Sequence, residues 1–235
     1  MSSLTLINQS FWTTLPAMVQ QLKGIKAFVT LLFDETGNLE PVWQLSHSLV
    51  DSRSFQLAIA TMRENPEVAN ILAERYIASP HDLVALSQYP PDSLGYTYAS
   101  QMKELAFQTI EAGIEINSDT SYVENRWQQT HDIWHIITGF DTSEIGEIGL
   151  QAFYLAQFQL PLASLLIANA LIAVTVWQPQ RLSVLLMAIA RGWEMGKNAK
   201  PLIAQKWEEA WEKPVAVWRK ELNVQPVNPS EFTCS

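Results

Sequence analysis

The chain holds four histidines, His47, His81, His131 and His135, and two of them stand four residues apart in Thr130-His131-Asp132-Ile133-Trp134-His135. Side chains at i and i+4 share one face of a helix, so both imidazoles can converge on a single point. Helical metalloenzymes supply two nitrogen ligands in this way. Asp132 lies about 100° further round the helix, where it can close on a metal from the side or orient a ligand from behind. Another ligand is needed, and Asp141, Glu144 and Glu147 follow in the sequence. Gly139 ends the histidine helix and Thr142-Ser143 opens the next, which puts Glu147 about one turn inside it. Antiparallel packing across so short a turn returns Glu147 to the level of His135. Asp141, in the turn, and Glu144, at a helix start where the macrodipole stabilises acids, read as structural. Two nitrogens with carboxylate oxygens suit Zn²⁺, Fe²⁺ or Mn²⁺ better than Mg²⁺. Spacing alone is equally that of a histidine pair on a surface or in a core.

The elements that must carry these residues read as helices throughout. Asn65-Pro66 is an N-cap with a first-turn proline and opens a helix through Tyr76. Pro90-Pro91 precedes a helical segment from about Asp92 to Gly113. Ser121-x-x-Glu124 has the form of a capping box for the histidine helix, which runs to Thr138. Pro161, Pro179 and Pro214 mark later starts or kinks. No Asn-Gly or Asp-Gly hairpin signal and no sustained alternation of period two interrupts the pattern. Ala27 to Phe33 is the one strand-like run, and it reads equally as buried helix. The expected fold is all-α: a single domain of about eight to ten helices over residues 1–222, with a flexible C-terminal tail over 223–235.

Composition narrows the partners. Of 235 residues 17% are charged, against about 25% in an average soluble domain, and the formal net charge is −9. So acidic a chain lacks the basic face that phosphate neutralisation needs, which excludes nucleic acid as a partner. The single cysteine, Cys234, permits no intrachain disulfide and suits a reducing compartment. The first 28 residues show neither a secretory signal nor an Arg-rich mitochondrial presequence, so the expected location is cytoplasmic. Residues 148–180 carry no charge at all. Phe158–Trp177 has the length of a membrane span, but Gln159, Pro161, Ser164, Asn169 and Thr175 interrupt it. A buried helix pair is the simpler reading, and the same helices could wall a tunnel for a lipid tail. Trp207, Trp211 and Trp218, spaced by four and seven, could mediate self-association or form a buried face.

His131-Asp132-x-x-His135, eleven intervening residues, then Glu147 resembles the signature of the coenzyme Q biosynthesis protein four family. Upstream, the resemblance includes Asp82-Leu83, Pro91-x-x-Leu94-Gly95-x-x-Tyr98-Ala99, Tyr122-Val123 and Arg126. Downstream it includes Gly146-Glu147, Phe153, Gln157, Leu160-Pro161 and Trp193-x-x-Gly196-Lys197-x-Ala199-x-x-Leu202. Trp207-Glu208, Pro214, Arg219 and Leu222 close the match, which spans about Met62 to Leu222. Residues 1 to about 40 diverge from the family's usual start, and Glu74-Arg75-Tyr76 stands where the family often has a proline.

The resemblance implies a divalent metal, commonly zinc, held by His131, Asp132, His135 and Glu147, with iron, manganese or magnesium as alternatives. It further implies a hydrophobic channel for a polyprenyl chain, peripheral contact with a membrane, and a homo-oligomer working among quinone-biosynthesis enzymes. The implied activity is oxidative decarboxylation at ring carbon 1 of a prenylated benzoate, with the four metal-site residues at the chemistry. Arg126 and Lys197 are the basic residues assigned to its anionic head group. Zinc supplies no electrons, so dioxygen or a redox metal must take part in an oxidative step. A non-catalytic isoprenoid-binding scaffold explains the same composition. A His-Asp metal phosphohydrolase would use the dyads His81-Asp82 and His131-Asp132, but leaves His135 and Glu147 unexplained.

Overall fold

Side-chain caps set the starts of the helices that begin at Arg53, Pro66, Leu83, Asp119 and Glu144, the elements that lead up to and carry the candidate site. Asn65 accepts from the amides of Glu67 and Val68, and Pro66 takes the first helical position, where a missing N–H costs nothing. Ser143 accepts from the amide of Gly146 and opens the helix that carries Glu147. The histidine helix begins one turn earlier than Ser121-x-x-Glu124 suggests. Its N-cap is Ser118, whose hydroxyl accepts from Ser121 N while Ser121 Oγ accepts from Ser118 N. Two orphan amides are thus satisfied reciprocally by a serine in the place usually taken by glutamate. Gly139 ends the helix at φ 81°, a left-handed conformation that a Cβ disfavours.

The structure, a computed structural model, describes residues 19–33, 38–104 and 115–232. Its helices are α1 (residues 19–32), α2 (Glu40–Leu49), α3 (Arg53–Met62), α4 (Pro66–Glu74), α5 (Leu83–Leu86) and α6 (Leu94–Glu104). They continue with α7 (Asp119–Thr138), α8 (Glu144–Phe158), α9 (Pro161–Trp177), α10 (Leu182–Asn198) and α11 (Val215–Glu221). Among the described residues there is no strand, only an isolated bridge between Ser93 and Pro214. The all-α expectation holds, with eleven helices among the described residues where eight to ten are expected. Residues 27–32 are helical, with Ala27 buried, which settles the ambiguous run. Residues 105–114, within the helix expected to Gly113, lie outside the described residues.

Helix α8 occupies the centre. It folds back on α7 through a short turn and lies against α10 through two glycine contacts. A Cβ on Gly192 would collide with the carbonyl oxygen of Gly149, and one on Gly196 would press on Phe153 and Ala156. The small residues therefore let the two backbones meet. Between α7 and α8, Trp134 sits among Phe153, Tyr154 and Phe158, with ring centroids 4.8–5.9 Å apart. Full burial of each such side chain contributes about 1.5–3 kcal/mol.

The charge-free stretch divides. Helix α8 is core, whereas α9 buries only Leu162, Ala163 and Asn169 and exposes Ile172, Val176 and Trp177. No helix among the described residues is long and apolar enough to cross a membrane. Trp207 and Trp218 meet with tilted rings, centroids 4.7 Å apart, and with Trp211 are buried, so they form core rather than a surface for self-association. The expected loose tail is also corrected for residues 223–232. Val227 N donates to Thr138 O, and Phe232 stacks on Phe140 at 5.7 Å. Apolar Val224, Val227 and Phe232 supply the burial that polarity and prolines concealed.

Candidate metal centre

Three side chains from two helices meet at the α7–α8 turn. His131 and His135 share the face of α7 turned toward α8, and Glu147 reaches them from the first turn of α8. His135 Nε2 lies 3.1 Å from His131 Nε2 and 3.2 Å from Glu147 Oε1, while His131 Nε2 is 3.6 Å from Glu147 Oε2. Tetrahedral zinc with bonds of about 2.0–2.1 Å sets its ligand atoms about 3.3–3.4 Å apart. The three separations, 3.1–3.6 Å, bracket that spacing, with Glu147 meeting His135 through one oxygen and His131 through the other. His131, His135 and Glu147 form the group of potential ligands whose donor atoms lie within 4.8 Å of one another; Asp132 is not part of it. Asp132 acts on this region through its charge, which bears on His135, Tyr98 and Tyr154.

The outer nitrogens of the two rings are both engaged. His135 Nδ1 is 2.9 Å from the carbonyl oxygen of Phe140, and His131 Nδ1 is 2.8 Å from Tyr154 Oη. A carbonyl only accepts, so the neutral His135 ring carries its proton on Nδ1 and turns a bare Nε2 inward. A carboxylate and an imidazole lone pair pointing at one spot repel unless a proton or a cation sits between them. The donor set therefore suits a divalent ion. Burial opposes a charge on His135, yet Glu147, the Phe140 carbonyl and Asp132 together raise its pKa above the ordinary value. Burial likewise opposes ionisation of Glu147, and the two imidazoles outweigh it, holding the carboxyl well below the usual range. Burial, with the charges of Glu147 and Asp132, pushes the Tyr154 phenol far up.

Access to the centre is one-sided. His135 is closed off, with 1% of its side chain exposed, whereas Glu147 keeps 35%. The two cations assigned to a head group stand elsewhere. Arg126 is fully buried and forms a two-pronged pair with Glu208, at 2.6 and 2.9 Å, plus a bond to Gln205 O. It is a structural ion pair. Lys197 is exposed in the last turn of α10, beside Gly196, which packs on Phe153 and Ala156 well along α8 from Glu147. A cleft of about 510 Å³ at the α6 face includes Tyr96, Thr97, Ser100, Gln101, Asp141 and Thr142 in its lining. Tyr154 and the Phe140 carbonyl were beyond sequence reasoning, although Tyr154 falls seven residues after Glu147 on the same helical face.

A family model described as coenzyme Q (ubiquinone) biosynthesis protein Coq4 matches residues 21–228. The chain belongs to this Coq4 family. The match is wider than the Met62–Leu222 span in which the family's motifs are legible. A solved structure of a protein from Nostoc punctiforme, described as a candidate ubiquinone biosynthesis protein, is 34% identical with a TM-score of 0.77. The similarity covers 86% of this chain and 97% of that one. The mitochondrial ubiquinone biosynthesis protein COQ4 homolog of Aedes aegypti is 28% identical over 171 residues, 70% of this chain and 61% of the relative. The COQ4 protein of Kluyveromyces lactis is 32% identical over 148 residues, 62% of this chain and 44% of the relative. The chain thus spans about 60% of the length of curated Coq4 relatives such as the Aedes protein. Those relatives are named mitochondrial, which overturns the cytoplasmic expectation. Neither the N-terminal composition nor a folded helical domain records the compartment in which a Coq4 protein works.

Proposed function

We propose that this Coq4 family member acts in ubiquinone biosynthesis and holds the aromatic head of a prenylated benzoate beside a divalent ion, supporting an oxidative decarboxylation at ring carbon 1 in which dioxygen is the oxidant and carbon dioxide the leaving group. The convergence of His131, His135 and Glu147 carries this reading. These three would hold the ion, with Asp132 adding negative potential nearby. When bound, the ion supplies Lewis acidity, polarising a ring oxygen or carboxylate, an effect worth several kcal/mol. The chain's own residues do the rest. The Phe140 carbonyl orients His135, the buried Trp127–Trp134–Tyr154 cluster excludes water from the α7–α8 seam, and the accessible edge of Glu147 leaves a side for the ring to enter.

The apolar surface of α9 supports the lipid part of the proposal. Ile172, Val176 and Trp177 lie toward the end of α9 that runs back to the start of α8, and Arg181 just beyond it pairs with Glu144 at 2.8 Å. A prenyl chain or membrane surface there would lie at the same end of α8 as Glu147. That surface also favours a second reading, an isoprenoid-binding scaffold in which the ion serves structure. Metal analysis of the dialysed protein tests the centre: stoichiometric divalent metal is expected in the wild type and its loss in His135→Ala. Equal, negligible metal in both discards it. A metal-free variant that still restores ubiquinone synthesis to a strain lacking its own Coq4 protein selects the scaffold.

A further inference from the structure

Each imidazole of the centre needs a partner on its outer nitrogen, and the two partners differ in kind. Phe140 offers a main-chain carbonyl, which can only accept and so leaves His135 one tautomer. Tyr154 offers a hydroxyl, which can donate or accept. If Tyr154 donates to Nδ1 of His131, the ring keeps its proton on Nε2 and turns an N–H toward His135 and Glu147. If Tyr154 accepts, the proton moves to Nδ1 and a lone pair faces inward. Only the second arrangement makes a ligand.

Tyr154 has little freedom to move away. It is fully buried, and its ring lies 4.8 Å from Trp134, 5.8 Å from Trp127 and from Phe158, and 6.0 Å from the His131 ring at an interplanar angle of 27°. His131 is the hydrogen-bond partner of its hydroxyl among the described residues. A buried phenol with one partner, packed on every face, is built to hold that partner in place. The ring contacts fix where the oxygen sits, and the oxygen holds the plane of the His131 ring; an ion on Nε2 then selects the Nδ1–H tautomer, which donates to Tyr154 Oη.

We infer that Tyr154 is the positioning residue of the metal centre, setting His131 to present Nε2 by accepting a hydrogen bond from its Nδ1–H. This rests on the metal-site reading above. Losing such an outer partner lowers metal affinity about 10- to 100-fold.

The test is Tyr154→Phe, which keeps the ring and removes the hydroxyl, titrated with Zn²⁺ and with Co²⁺ against a chromophoric chelator. The expected result is Zn²⁺ affinity lowered about 10- to 100-fold, together with a shifted Co²⁺ ligand-field spectrum. Phe158→Leu is the packing control, because it disturbs the same aromatic cluster without touching His131. It should lower thermal stability and leave Zn²⁺ affinity and the Co²⁺ bands unchanged. Wild-type affinity and spectrum in Tyr154→Phe overturn the role of Tyr154 alone. An equal loss in Phe158→Leu also overturns it, since packing would then explain both. Failure of the wild type to bind either ion brings down the metal-site reading itself.

Discussion

Arg126 and Glu208 show what a buried charge demands. Arg126 lies on the histidine helix with no exposed surface, and Glu208 meets it with both oxygens. Burial alone would push the Glu208 carboxyl up; hydrogen bonds from His81 and Arg126 instead bring it from 4.5 down to about 2. A carboxyl depressed in the folded state adds stability that is complete above its unfolded value and lost as pH falls through the folded one. Here the window runs from pH 4.5 to about 2, and the loss is on the order of 3 kcal/mol. Urea unfolding at pH 7 and at pH 3 should show about 2 kcal/mol of that fall in the wild type, the remainder going only as the pH drops through about 2. Glu208→Gln should lose about 3–5 kcal/mol at pH 7, because the guanidinium stays buried without a counter-charge, and should lose less on acidification. The fate of Arg126 was not legible in the sequence, since its partner is 82 residues away on a different element. His131, His135 and Glu147 were legible because helix period and a short turn are local rules. Asp132, about 100° further round α7 than His131, lies off the face the two histidines share and stands outside the trio.

Among the elements, caps and close contacts decide more than propensity. Ser118→Ala removes the reciprocal cap of α7 and should cost about 1 kcal/mol, read as a lower thermal midpoint; Ser121→Ala should cost a similar amount. Glu124, which the sequence pattern makes the far half of the cap, is instead buried and accepts from Trp127, Gln128 and Ser46. A motif of four residues matched in two overlapping registers, and the burial of Glu124 chose between them. Gly192→Ala would set a methyl against the Gly149 carbonyl, so α10 must retreat from α8. Overpacking of this kind costs about 1–3 kcal/mol, measurable by chemical denaturation. Since α8 carries Glu147, the same variant should also weaken Zn²⁺ binding.

For the molecule as a whole, the sequence revealed the fold class and the sequential order of elements but not which apolar helix would be covered. Helices α8 and α9 are both charge-free, and periodicity cannot tell them apart. Their fates diverge because α8 has α7 on one side and α10 on another, while α9 meets α8 on one side and is touched only in part by α1, α2, α3 and α10 elsewhere, leaving Ile172 and Val176 exposed and Trp177 half-exposed beside Phe33. If that face takes lipid, Ile172→Glu with Val176→Glu should abolish co-sedimentation with vesicles of zwitterionic phospholipid while leaving Zn²⁺ affinity unchanged. Substitution at exposed positions should alter the folding stability by no more than about 0.5 kcal/mol.

The C-terminal residues reach the centre through a relay of contacts. Phe232 lies on the ring of Phe140, Val227 is tied to Thr138, and the carbonyl of Phe140 itself is the one that steers His135. The final stretch is therefore a splint on the hinge that holds one ligand true. Deleting residues from Val224 onward should leave the helices standing yet hasten escape of bound zinc, visible as a faster off-rate on adding chelator, and a bulky C-terminal fusion would strain the same joint.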